Sequence, residues 1–421
     1  MSDQPEAPLR WEQPEWLESA YAWIATQLEQ LGLDASGEPE QVHVRWWSTV
    51  IRVPTTAGDL YFKAAAAAHA FEPALVSMLA DLQPGRLPDI AAADPTRGWM
   101  LMRDGGELLR DEIRTPADLS RWEEVLARYA ELQLATAPYA DELLALGVPD
   151  LSIGGLATSF RKLLDDEDAI LLHRPNGLTA AERDRLRDYV PTISSAVDLL
   201  AAQGIPATIQ HDDLHDGNVF VRDGRYQIVD WGDSSVSHPF HTLVVVFRAI
   251  VYRFDPDVEP GGPEILRLRD AYLEPFAQYG DHGSLARAVD LAHLTGTLAR
   301  ALAWHRFVTL RPPTFRGEDV EAVPYGLKRL LNLGPLGSWD LDAEEPSEPG
   351  AEPPEPVVPA GEEVFDVAGR EDEQAPGRLG DDLRVGPPDE PAADIAEDVA
   401  GDESHTAPAG SPDDDLSRED E

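Results

Sequence analysis

Cysteine is absent from the 421-residue sequence. This absence excludes disulfide bonds, thiol nucleophiles and cysteine-ligated metals, and it is compatible with a cytoplasmic location. Long apolar runs are also missing, since segment 243–250 is short and contains Arg248, whereas a membrane-spanning helix needs roughly 18 to 20 apolar residues. The first residues show neither a basic region nor an apolar core, so no secretory signal is expected. We therefore expect a soluble, cytoplasmic protein.

Basic residues are few, with 34 Lys and Arg against 78 Asp and Glu and a formal net charge of -44. Nucleic acids and anionic membranes bind through basic surfaces, so neither is an expected partner. The acidic excess is concentrated in residues 341–421, which contain 27 acidic and 4 basic residues. This segment is rich in proline and has one aromatic residue, Phe365. Such a composition predicts a disordered tail over 336–421 that keeps the protein soluble or binds a basic partner.

The residues that carry chemistry are concentrated in segment 209–233, IQHDDLHDGNVFVRDGRYQIVDWGD. Two short apolar runs flank the dipeptide at 223–224, Asp-Gly, which is a strong hairpin signal. The hairpin is expected to bring Asp213, Asn218 and Asp230 to one edge. Asp213 would be free to accept a proton there, while Asn218 and Asp230 offer hard oxygen ligands that suit magnesium.

A metal-hydrolase cluster is an alternative for this segment, and it would use His211, Asp213, His215 and Asp216. Two histidines four residues apart bind one metal well when they share a helix face. Gly217 and the apolar run after it argue against a helix at this point. The ordinary role of the two histidines is to hold the loop by hydrogen bonds.

Segment 211–218, His-x-Asp-Leu-His-x-Gly-Asn, followed by Asp-Trp-Gly from Asp230, resembles the aminoglycoside phosphotransferase and choline kinase family of the protein-kinase-like superfamily. The resemblance implies ATP-dependent transfer of the γ-phosphoryl group to a hydroxyl of a small molecule, with an aminoglycoside-like, aminoalcohol or sugar-like acceptor. It also implies that Asp213 is the catalytic base and that Asn218 and Asp230 bind Mg.

The region before this segment contains an amphipathic helix pattern over 11–33 and a strand, strand, turn, strand pattern over 42–63. Lys63 ends the third predicted strand, and the resemblance implies that it contacts the nucleotide phosphates. Glu72 directly precedes a helix predicted from Pro73. It is the expected ion-pair partner of Lys63, with capping of that helix as the alternative role.

The resemblance departs from the family at segment 46–49, Trp-Trp-Ser-Thr, where a glycine-rich phosphate loop is expected and no glycine occurs. The backbone amides of Ser48 and Thr49 are the candidates for phosphate binding there. An apolar strand then runs into a glycine-containing hinge, where backbone groups near Met102 and Asp104 are expected to bind adenine.

The fold class expected from these features is α+β, a bilobal protein-kinase-like fold. Its expected parts are a small nucleotide-binding lobe over 1–104, a helical catalytic and substrate lobe over 105–335, and the tail over 336–421. Capping and periodicity predict helices over most of the second lobe, with an interruption or a kink at Pro191 and an interruption at Pro324.

The acceptor is not identified by the sequence. Acidic residues 165–168 are candidates for binding a cationic acceptor, with a solvated acidic loop as the alternative, and Asp233 is a candidate contact to the substrate or to a second metal. A catalytically weak nucleotide-binding regulatory protein of the same fold also stays open. The missing glycines and the long tail favour that alternative.

Overall fold

The structure is a computed structural model that describes residues 9–310 and 317–338. Its N-terminal part contains two α-helices and five strands, which are α1 (Pro14–Leu31), β1 (Glu40–Val44), β2 (Ser48–Val53), β3 (Leu60–Ala65), α2 (Glu72–Leu82), β4 (Ile90–Asp94) and β5 (Trp99–Arg103). The strands form one antiparallel sheet with the order β1-β2-β3-β5-β4. The strand, strand, turn, strand prediction is therefore confirmed.

Helix α1 packs on one face of this sheet through residues spaced four apart, and Gly32 ends it in the left-handed conformation with φ 66°. Phe62 and Trp99 belong to the same buried cluster. The buried side chains of the helix are Trp16, Ala20, Ile24 and Leu28. The predicted helix and its core-packing role are both confirmed.

The C-terminal part is mainly helical. It contains β6 (Glu107–Leu108), α3 (Leu109–Glu112), α4 (Ser120–Thr136), α5 (Ala140–Ala145), α6 (Ile153–Asp165), α7 (Ala180–Ala202), β7 (Thr208–Gln210), β8 (Val219–Arg222), β9 (Arg225–Ile228), β10 (Ser235–Ser237), α8 (Thr242–Arg253), α9 (Pro263–Leu273), α10 (His282–Leu310) and α11 (Ala322–Leu331). Its strands form two small sheets, β6-β8-β9 and β10-β7. The α+β class is therefore confirmed, whereas the lobe boundaries at 104 and 335 stay predictions.

Pro191 was predicted to interrupt or kink helix α7. The interruption is wrong, because the helix continues from Ala180 to Ala202, whereas a kink stays a prediction. Proline inside a helix costs about 3 kcal/mol. Val190 and Ile193, on either side of it, are buried and offset that cost. Pro324 also does not interrupt its helix, because it lies in the first turn of α11, where the missing N–H is not needed.

Among residues 9–310 and 317–338, no helix combines the length and apolarity needed to cross a bilayer. The predicted acidic tail lies outside the described residues, apart from 336–338. In that short stretch Leu336 is buried, and its carbonyl accepts a hydrogen bond of 2.7 Å from the N–H of Gly261.

The segment between the two parts of the chain makes a close contact at Gly105. A Cβ atom there would lie 2.6 Å from the ring of Phe220 on β8. The next residue, Gly106, has φ 97°, a conformation that favours glycine. Strand β6 follows at once and pairs with β8. The predicted glycine hinge therefore joins the first sheet to the sheet that contains the 219–228 hairpin.

Substituting Gly105→Ala should lower the free energy of unfolding by about 1 to 3 kcal/mol, because the new methyl group overpacks against Phe220. Urea unfolding followed by circular dichroism measures the change. Gly154→Ala on α6 is the matched control, since its Cβ meets no atom within 4 Å and alanine favours a helix. Equal unfolding midpoints for Gly105→Ala and the unsubstituted protein would contradict the close-contact role.

Candidate active site

The β8–β9 hairpin places the two acidic clusters side by side. Asp223 and Gly224 form its two-residue turn with φ values of 52° and 71°, and two positive φ values are characteristic of the tight hairpin turn expected for Asp-Gly. The N–H of Val229 donates to the carbonyl of Asn218 at 3.0 Å. Asp230 follows directly, so the predicted hairpin is confirmed and it brings Asp230 beside Asn218.

Asp213 lies at the same edge and is buried. The Nδ2 group of Asn218 donates to the backbone oxygen of Asp213 at 3.0 Å. Arg300 Nη2 on α10 lies 3.4 Å from Asp213 Oδ1, and His215 Nε2 lies 3.6 Å from Oδ2. Burial raises the pKa of Asp213, but His215 and Arg300 outweigh it and lower the pKa to about 2. The carboxylate is therefore ionised and able to accept a hydrogen bond from a hydroxyl.

Lys63 is buried inside strand β3, two residues before the strand ends. Its Nζ donates to Glu72 Oε1 and to Asp230 Oδ1, both at 2.7 Å. Burial lowers the pKa of Lys63, but Asp230 and Glu72 outweigh it and raise the pKa above its ordinary value. Glu72 Oε1 also accepts the N–H of Trp231 at 3.0 Å. The three charged side chains thus connect the first sheet, helix α2 and the hairpin.

The residues at this edge fit a magnesium ion. Asn218 Oδ1 is buried and has no hydrogen-bond partner in the described part of the chain, and its side-chain amide belongs to the same edge as the Asp230 carboxylate. Magnesium is commonly held by one or two protein oxygens together with substrate phosphates and water. Residues 9–310 and 317–338 contain no cluster of three or more His, Asp or Glu side chains suited to a metal. A metal here would therefore need phosphate or water to complete its coordination.

The two histidines, His211 and His215, hold the loop by hydrogen bonds, as the ordinary role predicts. His211 Nε2 is 2.8 Å from the carbonyl of Val229, and its Nδ1 lies 3.3 Å from the N–H of Asp213. His215 Nδ1 accepts the N–H of Gly217 at 3.0 Å. Because both rings hold the loop, and no helix presents them to one metal, the metal-hydrolase alternative is wrong.

The turn between β1 and β2 carries the segment without glycine. The N–H of Arg45 donates to the carbonyl of Ser48 at 2.9 Å, which closes a short turn with two tryptophans at its tip. The hydroxyl of Thr49 donates to the carbonyl of His43 at 2.7 Å, so it is held inside the hairpin. Phosphate binding by the amides of Ser48 and Thr49 stays a prediction.

The tip of this turn rests on helix α10. The rings of Trp46 and Trp47 lie 4.9 and 5.8 Å from the ring of Phe307, measured between centroids. His69 adds a third contact to Phe307 at 6.2 Å. Sequence reasoning missed this contact, because nothing in a single sequence relates residues separated by about 260 positions.

The predicted adenine-binding residues lie at the end of β5. Met102 is inside the strand and pairs with Tyr61 on one side and Ile90 on the other. Asp104 follows the strand, and its carbonyl accepts a hydrogen bond of 2.5 Å from Arg222 Nη1. Contact of either residue with adenine stays a prediction.

The acidic run 165–168 is paired within the chain. Each of its four carboxylates lies close to one basic side chain, and these partners are Arg187, His305, Arg183 and Arg174 in sequence order. None of the four acids is among the residues that line a pocket at Arg300, the arginine in contact with Asp213. The arrangement favours a structural role for the run over binding of a cationic acceptor.

A pocket that is partly open to solvent lies beside the contact between Arg300 and Asp213. Its wall combines two arginines, one acid, one serine and several apolar residues, which are Pro149, Leu151, Asp233, Ser235, Arg300, Ala303, Trp304, Arg306 and Phe307. Ser235 Oγ also donates to the carboxylate of Asp212, the residue before the predicted base. Sequence reasoning included Asp233 but missed the side chains of α10. The signal available in the sequence was the helical spacing of Arg300, Trp304 and Phe307, which predicts an arginine and two aromatic side chains on one face of a helix.

A family model described as the phosphotransferase enzyme family, APH, matches residues 35–283. This match covers more than half of the chain. The chain belongs to this phosphotransferase family. The matched region contains Lys63, Asp213 and Asp230, and it ends in the first turn of α10. The predicted family is thereby confirmed.

The chain is 27% identical over 247 residues to a glucosamine kinase of Streptacidiphilus jiangxiensis, which corresponds to 54% of this chain and 51% of that protein. The chain thus spans about half the length of this curated relative. It is also similar to the solved structure of a Plasmodium vivax ethanolamine kinase, with 16% identity, a TM-score of 0.50, and coverage of 76% of this chain and 89% of that chain. This second similarity shows the fold alone, and it confirms the predicted kinase-like class.

The stability of this phosphotransferase should depend on pH through Asp233. Burial, together with Asp213 and Asp230, raises the pKa of Asp233 to about 8. Because the folded protein binds this proton more tightly than the unfolded chain does, the free energy of unfolding should fall as pH rises from about 4 to about 8. Asp233→Asn should therefore melt at a higher temperature than the unsubstituted protein above pH 8, with no difference near pH 4.

Thermal melting in EDTA without nucleotide tests this expectation. Asp198→Asn on α7 is the matched control, since Asp198 is exposed. A constant difference in melting temperature across the whole pH range would contradict the raised pKa.

Proposed function

We propose that the protein is an ATP-dependent kinase that transfers the γ-phosphoryl group to a hydroxyl of a small molecule. The observation that carries this proposal is the buried triad in which Lys63 Nζ lies 2.7 Å from both Glu72 and Asp230. Phosphoryl transfer needs little covalent chemistry from the protein, but it needs charge neutralisation and alignment of the reacting groups. Lys63, which is oriented by the two carboxylates, can neutralise charge on the phosphates. The ionised Asp213 can align the acceptor hydroxyl.

The nucleotide is proposed to bind between the first sheet and the β8–β9 hairpin, which corresponds to a nucleotide-binding lobe over 1–104 and a catalytic lobe over 105–335. An apolar cluster lies between these two sheets and includes Val50, Met102 and Phe220. Apolar side chains of this kind commonly line the sites of flat bases such as adenine. Lys63 projects on the same side of β3 as Tyr61 of that cluster, because residues two apart share a face. It is therefore placed to contact the phosphates.

Asn218 and Asp230 are proposed to hold a magnesium ion. Bound there, the ion would neutralise negative charge on the phosphates. The buried, unpartnered Oδ1 of Asn218 supports this assignment, because a polar atom without a partner costs free energy in the folded protein unless a ligand satisfies it. Its Nδ2 donates to Asp213, which fixes the orientation that leaves Oδ1 available.

Asp213 is proposed to orient the acceptor hydroxyl and to accept its proton. Its carboxylate lies next to the pocket wall, because Arg300 both lines the pocket and contacts Asp213 Oδ1. A hydroxyl bound in the pocket would therefore be within reach of the base. Sugar-like, aminoalcohol and aminoglycoside-like acceptors are the classes named among the relatives and by the sequence resemblance.

A nucleotide-binding regulatory protein with little turnover is the second candidate. The aromatic tip of the β1–β2 turn favours it, since Trp46 and Trp47 pack on Phe307 where a flexible glycine loop is expected. Release of ADP from ATP in the presence of pooled sugars, aminoalcohols and aminoglycosides distinguishes the two. ADP release that requires an acceptor supports the kinase, and nucleotide binding without acceptor-dependent release supports the regulator.

Substituting Asp213→Asn should lower the rate of phosphotransfer about 100-fold or more, because the amide cannot accept the proton of the hydroxyl. The affinity for Mg-ATP should stay within about threefold, since the proposed metal ligands are retained. Steady-state kinetics and isothermal titration calorimetry give the two quantities. The control is Asp223→Asn in the exposed hairpin turn, which removes the same charge. Turnover equal to that of the control would refute the catalytic role of Asp213.

Substituting Asp230→Ala should weaken binding of Mg-ATP about tenfold or more, since it removes a proposed metal ligand and the partner of Lys63. Calorimetric titrations with ATP in the presence of Mg and of EDTA separate the two effects. The loss should be larger with Mg. An equal loss of ATP affinity with Mg and with EDTA would show that Asp230 acts through its ion pair with Lys63 and is not a metal ligand.

A further inference from the structure

The residue before the proposed base has a backbone conformation that few residues adopt. Asp212 has φ 63°, in the left-handed region, which is uncommon outside glycine and is reached more often by asparagine and aspartate than by other residues. Both Asp212 and Asp213 are buried. The conformation at Asp212 turns the chain, so it determines the direction in which the side chain of Asp213 leaves the backbone. Such a conformation persists where the surrounding contacts hold it.

The peptide group between Asp212 and Asp213 is held at both of its polar atoms. Its carbonyl oxygen, which belongs to Asp212, accepts a hydrogen bond of 2.7 Å from Arg300 Nη1. Its N–H, which belongs to Asp213, donates to His211 Nδ1 at 3.3 Å. Because a peptide group is planar, these two bonds fix the plane that ends at the Cα atom of Asp213.

The side chain of Asp212 restrains the same turn. Ser235 Oγ donates to the Asp212 carboxylate, and Ser235 belongs to strand β10, which pairs with β7. The turn is therefore attached to β10 through the side chain of Asp212 and to α10 through its carbonyl oxygen.

Helix α10 presents Arg300 in a fixed orientation. The guanidinium carbon lies 5.3 Å from the centre of the Trp304 ring, which is four residues further along the helix. A cation and an aromatic face attract each other at this distance. The Arg300 side chain is 12% exposed, so its contacts are only weakly screened by the solvent. A guanidinium group that is oriented in advance loses little freedom when it forms its hydrogen bonds.

Compensation of the Asp213 charge is the simpler role for Arg300. However, Arg300 Nη2 lies 3.4 Å from Asp213 Oδ1, whereas Nη1 lies 2.7 Å from the backbone oxygen of Asp212. Hydrogen bonds from nitrogen to oxygen are commonly about 2.9 to 3.0 Å long, so the stronger of the two contacts is the one to the backbone. This geometry favours a role in holding the turn.

We propose that Arg300 is a positioning residue that holds the turn at Asp212 and thereby directs the carboxylate of Asp213 toward the acceptor hydroxyl. This inference rests on the proposed kinase function, since it concerns the base of the same reaction. Arg300 takes no part in the proton transfer itself. Its effect reaches the reaction through the orientation of Asp213, and a displacement of about 1 Å at a reacting group can lower a rate about 100-fold.

Substituting Arg300→Ala should lower kcat at saturating acceptor about 100-fold. The KM for ATP should stay within about threefold, because the proposed nucleotide and metal ligands are retained. Steady-state measurement of acceptor-dependent ADP release gives both quantities. Arg287→Ala is the matched control, since Arg287 is exposed on the same helix. A kcat equal to that of the control would overturn the proposal, as would a loss of ATP affinity as large as the loss of kcat, which indicates a general structural role.

Substituting Arg300→Lys separates the positioning role from charge compensation. Lysine keeps the positive charge but lacks the planar fork of donors that reaches two acceptors at once, so kcat should still fall at least about tenfold. Full turnover of this variant would assign Arg300 to charge compensation and contradict the positioning role. The lysine variant also decides the question if Arg300→Ala does not fold.

Hydrogen–deuterium exchange followed by mass spectrometry tests the turn without turnover. Loss of the bond from Arg300 lowers the free energy needed to open the loop, so amides in peptides covering 211–218 should exchange about tenfold faster in both Arg300 variants than in Arg287→Ala. Exchange in α1, which packs on the first sheet, should not change. Exchange over 211–218 that equals the control would show that Arg300 does not hold the turn.

The two proposals fail in different ways. If the kinase function is wrong, the unsubstituted protein releases no ADP with any acceptor, while the exchange measurement still shows whether Arg300 holds the turn. If only the role of Arg300 is wrong, acceptor-dependent ADP release is measured and depends on Asp213, while Arg300→Ala matches the control in turnover or in exchange.

Discussion

The buried contact of Lys63 with Glu72 and Asp230 is the interaction on which the rest of the site depends. An isolated charge is costly to bury, and a buried charge is retained only when partners and hydrogen bonds compensate for the lost water. The three side chains come from β3, the first turn of α2 and the end of the β8–β9 hairpin. The contact therefore fixes the position of the first sheet relative to the hairpin that contains the other polar residues.

The charge balance of this triad also favours a further cation. One lysine faces two carboxylates, and burial raises the pKa of Glu72, which shows that the environment disfavours the second negative charge. The N–H of Trp231 compensates for part of it by donating to Glu72. A divalent ion near Asp230 would compensate for the rest. The same argument explains why Lys63 stays protonated although it is buried: its two partners stabilise the charged form more than burial destabilises it.

Features of the site that depend only on neighbouring residues in the chain could be predicted from the sequence. An Asp-Gly turn between apolar runs predicts the hairpin at 223–224, and a helix start at Pro73 places Glu72 near the sheet. The helix pattern over 11–33 and the motif that identifies the family are equally local. The continuous path of α7 through Pro191 was not predictable, because tertiary burial on both sides of the proline outweighs its local cost. The pocket residues on α10 were missed for a related reason. Their relation to Asp213 is created by packing and not by their neighbours in the chain.

The aromatic tip of the β1–β2 turn connects the two proposed binding regions. In place of a flexible glycine loop, Trp46 and Trp47 contact Phe307, and Phe307 also lines the pocket beside Arg300. Close-packed side chains are hardly compressible, so the displacement of one ring is transmitted to its neighbours. A ligand that shifts Phe307 would therefore have to move the tip of the turn, which belongs to the same sheet as Lys63. The turn thus lacks the flexibility of a glycine loop and is held by contact with the helical part, which connects the proposed nucleotide-binding sheet to the proposed acceptor pocket.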